Sequence, residues 1–325
     1  MILVTGATGF LGSFICRKLL DEKIEFIALR RPSSSLALLE DVKDQITWHD
    51  GDITKIDTID SILDKVDTVI HSAAVVSFHS SEYDLMTKVN VEGTKNLVNS
   101  CLNYGINKMI FISSVAALGR SKAEGAIDET NKWQESKYNT HYGESKYLAE
   151  LEVWRGHVEG LQSVVLNPSV ILGPGDWNNN SSSIFKYVWD EKPFYTEGYI
   201  NYVDVRDVTT ILYKLLKSNT VGERYIVNAG KVTFKSMFDK IALRFNKKQP
   251  KIKATGALVK IGLFLAWLKY IFTKKKPVIT RETARVGKTQ IYFDNSKVVS
   301  ELNHTFVPLD GTLDWACSHY LDNKK

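Results

Sequence analysis

The chain has 325 residues, of which 44% are hydrophobic, and it carries a formal net charge of +5 at pH 7. This length and composition exclude a mostly disordered chain, because the sequence can bury a large core, either as one big α/β domain or as a larger domain with a smaller companion. The charge is modest and the lysines are mostly scattered, which is typical of a solvated surface and not of a nucleic-acid-binding face. We therefore expect no nucleic-acid partner.

The three cysteines, Cys16, Cys101 and Cys317, lie far apart and lack metal-ligand spacing. Such cysteines fit structural thiols in a reducing compartment, and the histidines show no pairing typical of a metal site. A glycine-rich turn at residues 5–12 begins too early for a signal peptide to precede it. The expectation is a cytoplasmic protein that needs no metal.

The first predicted element is a strand over the apolar residues 2–4, and the glycine-rich turn follows it directly. Gly6, Gly9 and Gly12 stand where the turn enters a helix. Glycines there allow positive φ angles and close approach of a pyrophosphate, while the helix N-terminus offers free N–H groups to the anion. The pattern predicts a dinucleotide site. Its spacing differs from the usual dehydrogenase fingerprint, and a plain structural turn is the alternative.

The end of the second predicted strand, residues 24–29, bears on the choice of cofactor. A carboxylate normally stands there and accepts hydrogen bonds from the adenosine ribose of NAD. This chain has Arg30 and Arg31 instead. Guanidinium groups cannot accept those bonds, but they suit the charge and oxygens of a 2′-phosphate. NADP(H) is therefore favoured and NAD(H) is the alternative, unless the two arginines are only solvated loop residues.

The first half of the chain alternates between predicted strands and helices. Alternation of this kind is typical of an α/β fold with a Rossmann-type, doubly wound parallel sheet, which binds ligands beyond the carboxyl ends of its strands. Further strands are predicted over residues 46–48, 68–71, 108–112 and 164–167, and helices over residues 56–63, 83–103 and 141–157.

Tyr142 and Lys146 are the first candidates for chemistry. They are four residues apart on a predicted helix, so their side chains lie on the same face of that helix. A nearby ammonium favours the phenolate, so we expect it to lower the pKa of the tyrosine and make the hydroxyl a usable acid or base. Ser114, at the end of the preceding strand, would orient a substrate oxygen. The set suits hydride transfer at a carbonyl carbon, and a surface helical pair is the alternative.

These motifs occur together with others in one order. They are Thr5-Gly6-Ala7-Thr8-Gly9-Phe10-Leu11-Gly12, Asp52-Ile53, His71-Ser72-Ala73-Ala74, Asn90-Val91-Glu92-Gly93-Thr94, Ser113-Ser114, Tyr142-Gly143-Glu144-Ser145-Lys146, Asn167-Pro168-Ser169-Val170-Ile171-Leu172-Gly173-Pro174 and Tyr202-Val203-Asp204-Val205-Arg206-Asp207-Val208. The combination resembles the extended short-chain dehydrogenase/reductase family, which includes the NAD-dependent epimerases and dehydratases. The resemblance covers nearly the whole chain.

The resemblance implies roles position by position. Ser114, Tyr142 and Lys146 would be catalytic, with Asn90 as a supporting residue that orders the helix and a water near the lysine. His71 is interpreted as a strand-end residue near the cofactor and not as a base, and Asp52 has a turn or helix cap as its alternative. The predicted cofactor-binding residues are Gly6, Thr8, Gly9, Phe10, Leu11, Gly12, Arg30, Arg31, Asp52, Ile53, Ala73, Ala74, Tyr142, Lys146, Pro168 and Val170.

Two departures from the patterns of dehydratases and epimerases indicate to which branch of the family the sequence is most similar. Dehydratases of the family carry an acidic pair after the active-site hydroxyl residue, whereas Val115-Ala116 follows Ser114 here, which disfavours dehydration. The arginine pair weakens epimerisation, because most epimerases of the family bind NAD through a carboxylate. Residues 71–78 look more similar to the dihydroflavonol-reductase and hydroxysteroid-dehydrogenase branch. The prediction is an NADPH-dependent ketone or aldehyde reductase; a sugar-nucleotide epimerase and a non-catalytic NADP-binding sensor are the alternatives.

The family also implies a domain division. Residues 1–174 with 202–230 would form the NADP-binding Rossmann domain, and residues 175–201 with 231–325 a smaller, mostly C-terminal substrate-binding cap. The aromatic residues of the first cap segment would either line a ligand pocket or pack in the core. They are Trp177, Phe185, Tyr187, Trp189, Phe194 and Tyr195.

Residues 254–276 raise the question of a membrane. The stretch 254–272 is apolar but contains Lys260 and Lys269, and Lys274-Lys275-Lys276 follows. Two internal lysines argue against a spanning helix. A helix that covers the substrate pocket is favoured, and a helix on a membrane surface is the alternative. By analogy with the family, the helices that begin at Tyr83 and carry Tyr142 would form a homodimer interface.

Overall fold

The main feature of the fold is a seven-stranded sheet in which all strands run parallel. The computed structural model describes residues 1–119, 126–256, 258, 282 and 290–322. In chain order its strands are β1 (Ile2–Thr5), β2 (Phe26–Arg30), β3 (Thr47–Asp50), β4 (Thr68–His71), β5 (Lys108–Ile112), β6 (Ala126–Ile127), β7 (Gln162–Pro168), β8 (Val170–Leu172), β9 (Phe194–Tyr195), β10 (Tyr199–Asp204), β11 (Glu223–Val227), β12 (Gly230–Thr233), β13 (Ile252–Lys253) and β14 (Tyr292–Phe293).

The described helices cover both faces of this sheet and build the smaller part of the molecule. They are α1 (Phe10–Asp21), α2 (Ile56–Leu63), α3 (Tyr83–Met86), α4 (Gly93–Asn103), α5 (His141–Val158), α6 (Ser183–Trp189), α7 (Val205–Lys217), α8 (Phe234–Phe245), α9 (Ser296–Leu302) and α10 (Leu309–Asp322). A π-helical turn, Thr87–Glu92, joins α3 to α4.

The strand order of the main sheet is β11-β7-β5-β4-β1-β2-β3. The order reverses between β1 and β4, and the crevice at such a point, beyond the carboxyl ends of the strands, is where open α/β sheets bind ligands. The predicted doubly wound α/β fold is confirmed. Most predicted elements are present, with ends that differ by a few residues.

Alternate residues of β1 face two separate hydrophobic cores. Ile2 and Val4 belong to a core formed with α1 and α7, whereas Leu3 belongs to a core formed with α2, α4 and α5. A strand buried on both faces must be apolar throughout, which explains the unbroken Ile2-Leu3-Val4 run. The two cores fix α1 on one face of the sheet and α5 on the other.

A smaller sheet has the order β12-β10-β8 and packs with α6, α8 and α10 around a third core. We expected residues 202–228 to return to the main sheet. This is correct for β11, but β10 pairs with β8 and β12, so residues 202–204 lie in the smaller sheet. The predicted division into a Rossmann domain and a cap stays a prediction.

The predicted helix over residues 83–103 contains an irregular turn. Within the π-helical segment the backbone is wider, and the carbonyl of Asn90 accepts a hydrogen bond of 2.6 Å from Thr94 Oγ1. Hydrophobic periodicity does not reveal such a turn, which is often found at functional sites. Of the segment 254–276, only residues 254–256 and 258 are described, so its predicted helix lies outside the described residues. Within the described part, no helix has the length and apolarity needed to cross a membrane.

Candidate active site

The glycine turn between β1 and α1 is shaped by two of its glycines. Gly6 has φ +72°, and a Cβ there would lie 2.6 Å from the backbone nitrogen of Ala73, while a Cβ at Gly12 would overlap the carbonyl oxygen of Gly6. Gly9 is different, because among the described residues a Cβ there would meet only Gly6 O, at 3.3 Å, which is a tight contact but not an overlap. Protein packing therefore explains Gly6 and Gly12 more fully than Gly9, and the position of Gly9 at the N-cap of α1 fits a phosphate held by helix N–H groups.

A cavity lies beside this turn at the reversal point of the sheet. It contains nine of the sixteen predicted cofactor-binding residues. The lining residues are Gly6, Thr8, Gly9, Leu29, Arg30, Arg31, Ser34, Gly51, Asp52, Ile53, Ser72, Ala73, Ala74, Val75 and Val89. A glycine turn, two strand ends and an adjacent pair of arginines make this cavity suitable for the adenosine half of a dinucleotide.

The two arginines of this cavity differ in their surroundings. Arg30 Nε donates to Asp50 Oδ1 at 2.9 Å, and its guanidinium carbon lies 5.3 Å from the ring centroid of Trp48. Arg31 is exposed. Asp50 therefore partly neutralises the charge of Arg30. The charge of Arg31 is more available to an anionic ligand.

Asp52 lines the same cavity and also makes a local turn. Its Oδ1 accepts hydrogen bonds from the backbone nitrogen and Oγ1 of Thr54, at 2.9 and 2.8 Å. Burial opposes ionisation, but these hydrogen bonds, together with the charges of Arg31 and Lys55, outweigh it and the pKa of Asp52 is lowered. Asp52 thus forms the turn that was its alternative role, and it also lies where a cofactor-binding residue is expected.

A chain of buried hydrogen bonds runs behind the crevice. Thr5 Oγ1 lies 2.6 Å from His71 Nδ1, and His71 Nε2 lies 2.9 Å from Thr94 Oγ1. Since Thr94 donates its hydrogen to Asn90 O, its oxygen must accept from His71 Nε2–H, which leaves Nδ1 as the acceptor from Thr5. Burial lowers the pKa of His71 to about 3, with the charge of Lys146 as a smaller cause. The ring is therefore neutral at ordinary pH and positions its neighbours.

Asn90 extends this chain toward the helix that carries Tyr142. Its Nδ2 donates to Ser145 Oγ and to Val75 O, both at 2.9 Å, and its Oδ1 accepts from the nitrogen of Val75 at 2.7 Å. Ser145 in turn donates to the carbonyl of Tyr142 at 2.8 Å. Asn90 thus connects the cavity wall with the first turn of α5.

Tyr142, Ser114 and Lys146 lie at the carboxyl end of β5. Ser114 lies close enough to Tyr142 to act on its phenol, and Thr140 caps α5 by accepting from the nitrogen of Gly143 at 3.0 Å. Lys146 is 2% exposed, and its Nζ donates to Ile112 O at 2.9 Å. Helical spacing places Tyr142 and Lys146 on one face of α5, and Ser114 directly follows β5.

The predicted effect of Lys146 on the tyrosine is wrong for this structure. Burial raises the pKa of Tyr142 to about 12, and the neighbouring hydroxyl of Ser114 only partly opposes the rise. Burial also lowers the pKa of Lys146 to about 7, against the favourable charge of Glu150. The reason is that both groups are withdrawn from water, which disfavours phenolate and ammonium alike. The phenol is therefore a proton donor at neutral pH.

The sequence profile of the NAD dependent epimerase/dehydratase family matches residues 2–230. The chain belongs to this family. It is an NAD(P)-dependent oxidoreductase of the extended short-chain dehydrogenase/reductase type, as its sequence predicts. Its nucleotide cofactor and a small-molecule substrate follow from the family.

Similar proteins match from about two thirds to nearly the whole of the chain. A candidate dihydroflavonol 4-reductase of Synechocystis sp. is 27% identical over 308 residues, which are 92% of this chain and 88% of that protein. The sterol demethylase protein B of Methylococcus capsulatus is 30% identical over 229 residues, 69% of this chain and 68% of its own length. The crystal structure of gox2253 is 30% identical with a TM-score of 0.84, and the match covers 99% of this chain and 98% of that one.

The other residues that the sequence predicts to bind the cofactor lie outside the cavity beside the glycine turn. Pro168 and Val170 are at the junction of β7 and β8, and Pro168 is buried. A Cβ at Gly175 would lie 2.8 Å from Phe10 Cδ2, so Phe10 packs against the segment that follows β8. Leu11 and Gly12 are buried within α1. The cofactor-binding role predicted for these residues stays a prediction.

The aromatic residues at 177–195 mostly pack in the core of the smaller sheet. Phe185 is fully buried, and Trp177 stacks on Tyr320 with 5.0 Å between ring centroids. Phe194 is the exception, at 41% exposed. Core packing is thus the better interpretation of most of them.

Sequence reasoning missed several residues of the site. Ser34 and Val75 line the cavity, Thr94 and Ser145 join the buried chain, and Glu150 lies behind Lys146. The sequence could have indicated Ser34, because this residue closely follows the arginine pair. The others are recognised only from contacts between residues far apart in the chain.

Proposed function

We propose that this protein reduces an apolar ketone or aldehyde with NADPH. The observation that carries the proposal is the grouping of Tyr142 and Ser114 with Lys146, which shares a helix face with Tyr142, at the carboxyl end of β5 and near the glycine turn. A protonated phenol beside a second hydroxyl suits the delivery of a proton to a carbonyl oxygen as it becomes an alcohol.

In this proposal, Tyr142 donates its phenolic proton to the carbonyl oxygen of the substrate. Ser114 holds that oxygen through its hydroxyl, which also accepts from the nitrogen of Ala116 at 3.1 Å. NADPH, when bound, supplies the hydride for the carbonyl carbon. Lys146 would bind the nicotinamide ribose and, when protonated, favour the charge that develops on Tyr142. The raised pKa of Tyr142 agrees with reduction, which needs an acid at that position.

The preference for NADPH rests on Arg30, Arg31 and Ser34. All three line the cavity, and the only carboxylate bonded to Arg30 among the described residues is that of Asp50, on the neighbouring strand. Guanidinium and hydroxyl groups can all donate to a 2′-phosphate. Because Arg31 is exposed at the rim, we assign it the larger share of this recognition.

An apolar substrate is supported by the segment 76–78, in which Phe78 approaches Tyr142 and Val76 is exposed. The ring centroids of Phe78 and Tyr142 are 6.3 Å apart, and Val76 is 48% exposed. Similar proteins are named for a dihydroflavonol and for sterols, which are largely apolar molecules. Together these features favour an apolar carbonyl compound over a sugar nucleotide.

Cofactor titration tests the first half of the proposal. The purified protein is titrated with NADPH and with NADH, and the expected result is tighter binding of NADPH. Arg31→Ser should lose most of this preference, because it removes a cavity-lining cation. Lys55→Ser is the matched control, since it removes an exposed charge near Asp52 that does not line the cavity. Equal binding of the two cofactors, unchanged in Arg31→Ser, would contradict the proposal.

A substrate screen tests the second half. Aldehydes, ketones, flavonoid-like and sterol-like carbonyl compounds are each added with NADPH, and the net consumption of NADPH is measured. We expect NADPH to be consumed in the presence of an apolar carbonyl compound. A cofactor that stays bound through purification, with no net consumption of added NADPH, would instead favour a sugar-nucleotide epimerase.

A further inference from the structure

Glu150 is a buried carboxylate behind the candidate active site. It lies on α5 one turn after Lys146 and is 3% exposed. Its Oε2 accepts from Ser113 Oγ at 2.8 Å and from Asn167 Nδ2 at 3.0 Å. Its Oε1 accepts from Trp154 Nε1 at 3.2 Å. Every one of these partners donates a hydrogen, which matches an ionised carboxylate.

Two of these partners belong to the strand ends that bear predicted site residues. Ser113 immediately precedes Ser114 at the end of β5. Asn167 immediately precedes Pro168 at the end of β7, and its Nδ2 also donates to the carbonyl of Ser114 at 3.0 Å. Glu150 therefore joins α5 to both strand ends, so its position helps to determine where Ser114 stands relative to Lys146.

Two cationic side chains are neighbours of Glu150. Arg224 Nη2, on β11, is 3.2 Å from Oε1 of Glu150, and the Arg224 side chain is 27% exposed. Lys146 lies one helical turn before Glu150 on α5 and is likewise buried, with its Nζ 4.2 Å from the ring centroid of Phe111. One carboxylate thus has a buried lysine one turn away on its own helix and a guanidinium that lines a surface cavity together with Trp154, Glu223 and Lys297.

We propose that Glu150 is a positioning residue for Lys146, and that Arg224 at the surface shares its charge and so limits its effect on the lysine. The proposal deepens the proposed function, on which it rests for the role of Lys146 in the reaction. The groups around Lys146 are Glu150 and Tyr142 on α5, the neutral His71 on β4, and the Ile112 carbonyl on β5.

Glu150 and Arg224 should have opposite effects on the pKa of Lys146. Removing the carboxylate charge leaves the buried ammonium without its favourable neighbour, so its pKa falls further. Removing the guanidinium withdraws a like charge and leaves the carboxylate to the lysine alone, so the pKa of Lys146 rises. If Glu150 and Arg224 had only structural roles, the two substitutions would not shift the pKa of Lys146 in opposite directions.

The test is an NMR titration of the full chain labelled with 13C at the lysine ε-carbons, without substrate. Lys146→Arg identifies the Lys146 signal by its loss. Glu150→Gln should lower the titration midpoint of Lys146 by about one pH unit or more. Arg224→Gln should raise it. Glu152→Gln is the matched control, because Glu152 lies on the same helix but pairs with Arg155, and the midpoint should stay unchanged.

Midpoints that do not move, or that move in the same direction in Glu150→Gln and Arg224→Gln, would overturn the proposal. If Glu150→Gln does not fold, Arg224→Gln decides alone, since that side chain is partly exposed, and an unchanged midpoint would overturn the proposal. The titration needs no turnover. A protein that reduces no carbonyl compound but shows opposite shifts would therefore refute the proposed function and leave this inference standing.

Discussion

Thr5 and His71, the last residues of the neighbouring strands β1 and β4, are joined by a hydrogen bond of 2.6 Å between Oγ1 and Nδ1. This bond lies at the point where the strand order of the sheet reverses. Through Thr94 and Asn90 it continues to the first turn of α5, which carries Tyr142. The cofactor-binding turn and the candidate catalytic helix therefore share one buried set of polar contacts.

Thr94→Val should destabilise the protein. Valine has nearly the same shape but leaves His71 Nε2 and the Asn90 carbonyl without their partner, and an unsatisfied buried polar group costs about 1–3 kcal/mol. Thr94→Ser keeps the hydroxyl and should lose much less. The free energy of unfolding in urea measures both. Equal losses in the two variants would mean that the methyl group, and not the hydrogen bonds, is what matters at this position.

His71 should make the stability depend on pH. Its pKa is about 3 in the folded protein, far below its ordinary value, because burial disfavours the charged ring. The unfolded chain therefore binds a proton that the folded chain does not, so this contribution is fully present above about pH 6.5 and is lost as the pH falls toward 3.

The measurement is the free energy of unfolding as a function of pH for the parent protein and His71→Gln. The parent should lose stability more steeply below pH 6.5, by up to about 1.4 kcal/mol per pH unit. His79→Gln, outside the buried chain of hydrogen bonds, serves as control and should keep the parent's slope. A slope in His71→Gln that equals the parent's would refute the neutral, buried state of this ring.

Gly9 and Gly12 should respond differently to alanine. Gly12→Ala places a methyl group against the Gly6 carbonyl and should strongly destabilise the fold. Gly9 has φ −81° and ψ 173°, which alanine tolerates, and its nearest neighbour would be 3.3 Å away. We expect Gly9→Ala to fold with a much smaller loss of stability than Gly12→Ala and to weaken NADPH binding about tenfold or more, equivalent to about 1.4 kcal/mol.

Thermal unfolding and fluorescence titration separate these two effects. Normal NADPH affinity in Gly9→Ala would show that no phosphate approaches the turn at this point. It would then favour the plain structural turn over a dinucleotide site.

Much of the fold and part of the site could be predicted from local patterns. The apolar runs and helical spacings of residues 2–21 and 141–157 are local in the chain, so they predict β1, α1 and α5 closely. The four-residue spacing of Tyr142 and Lys146 likewise places them on one helix face.

The rest depends on contacts between residues that are distant in the sequence. The bond of Arg30 to Asp50 arises because β2 and β3 are neighbours, and the burial that raises the pKa of Tyr142 arises from packing around α5. The partners of Glu150 come from three different strands and its own helix. No local pattern reports these relationships.

The measurement that tests the central claim most directly is NADPH consumption by Tyr142→Phe with the best apolar carbonyl substrate of the parent protein. The substitution keeps the ring and removes only the proton-donating hydroxyl. We predict a fall in kcat of about 10²-fold or more, with NADPH affinity largely retained. A variant that binds NADPH and retains the parent's rate would contradict the assignment of Tyr142 as the acid.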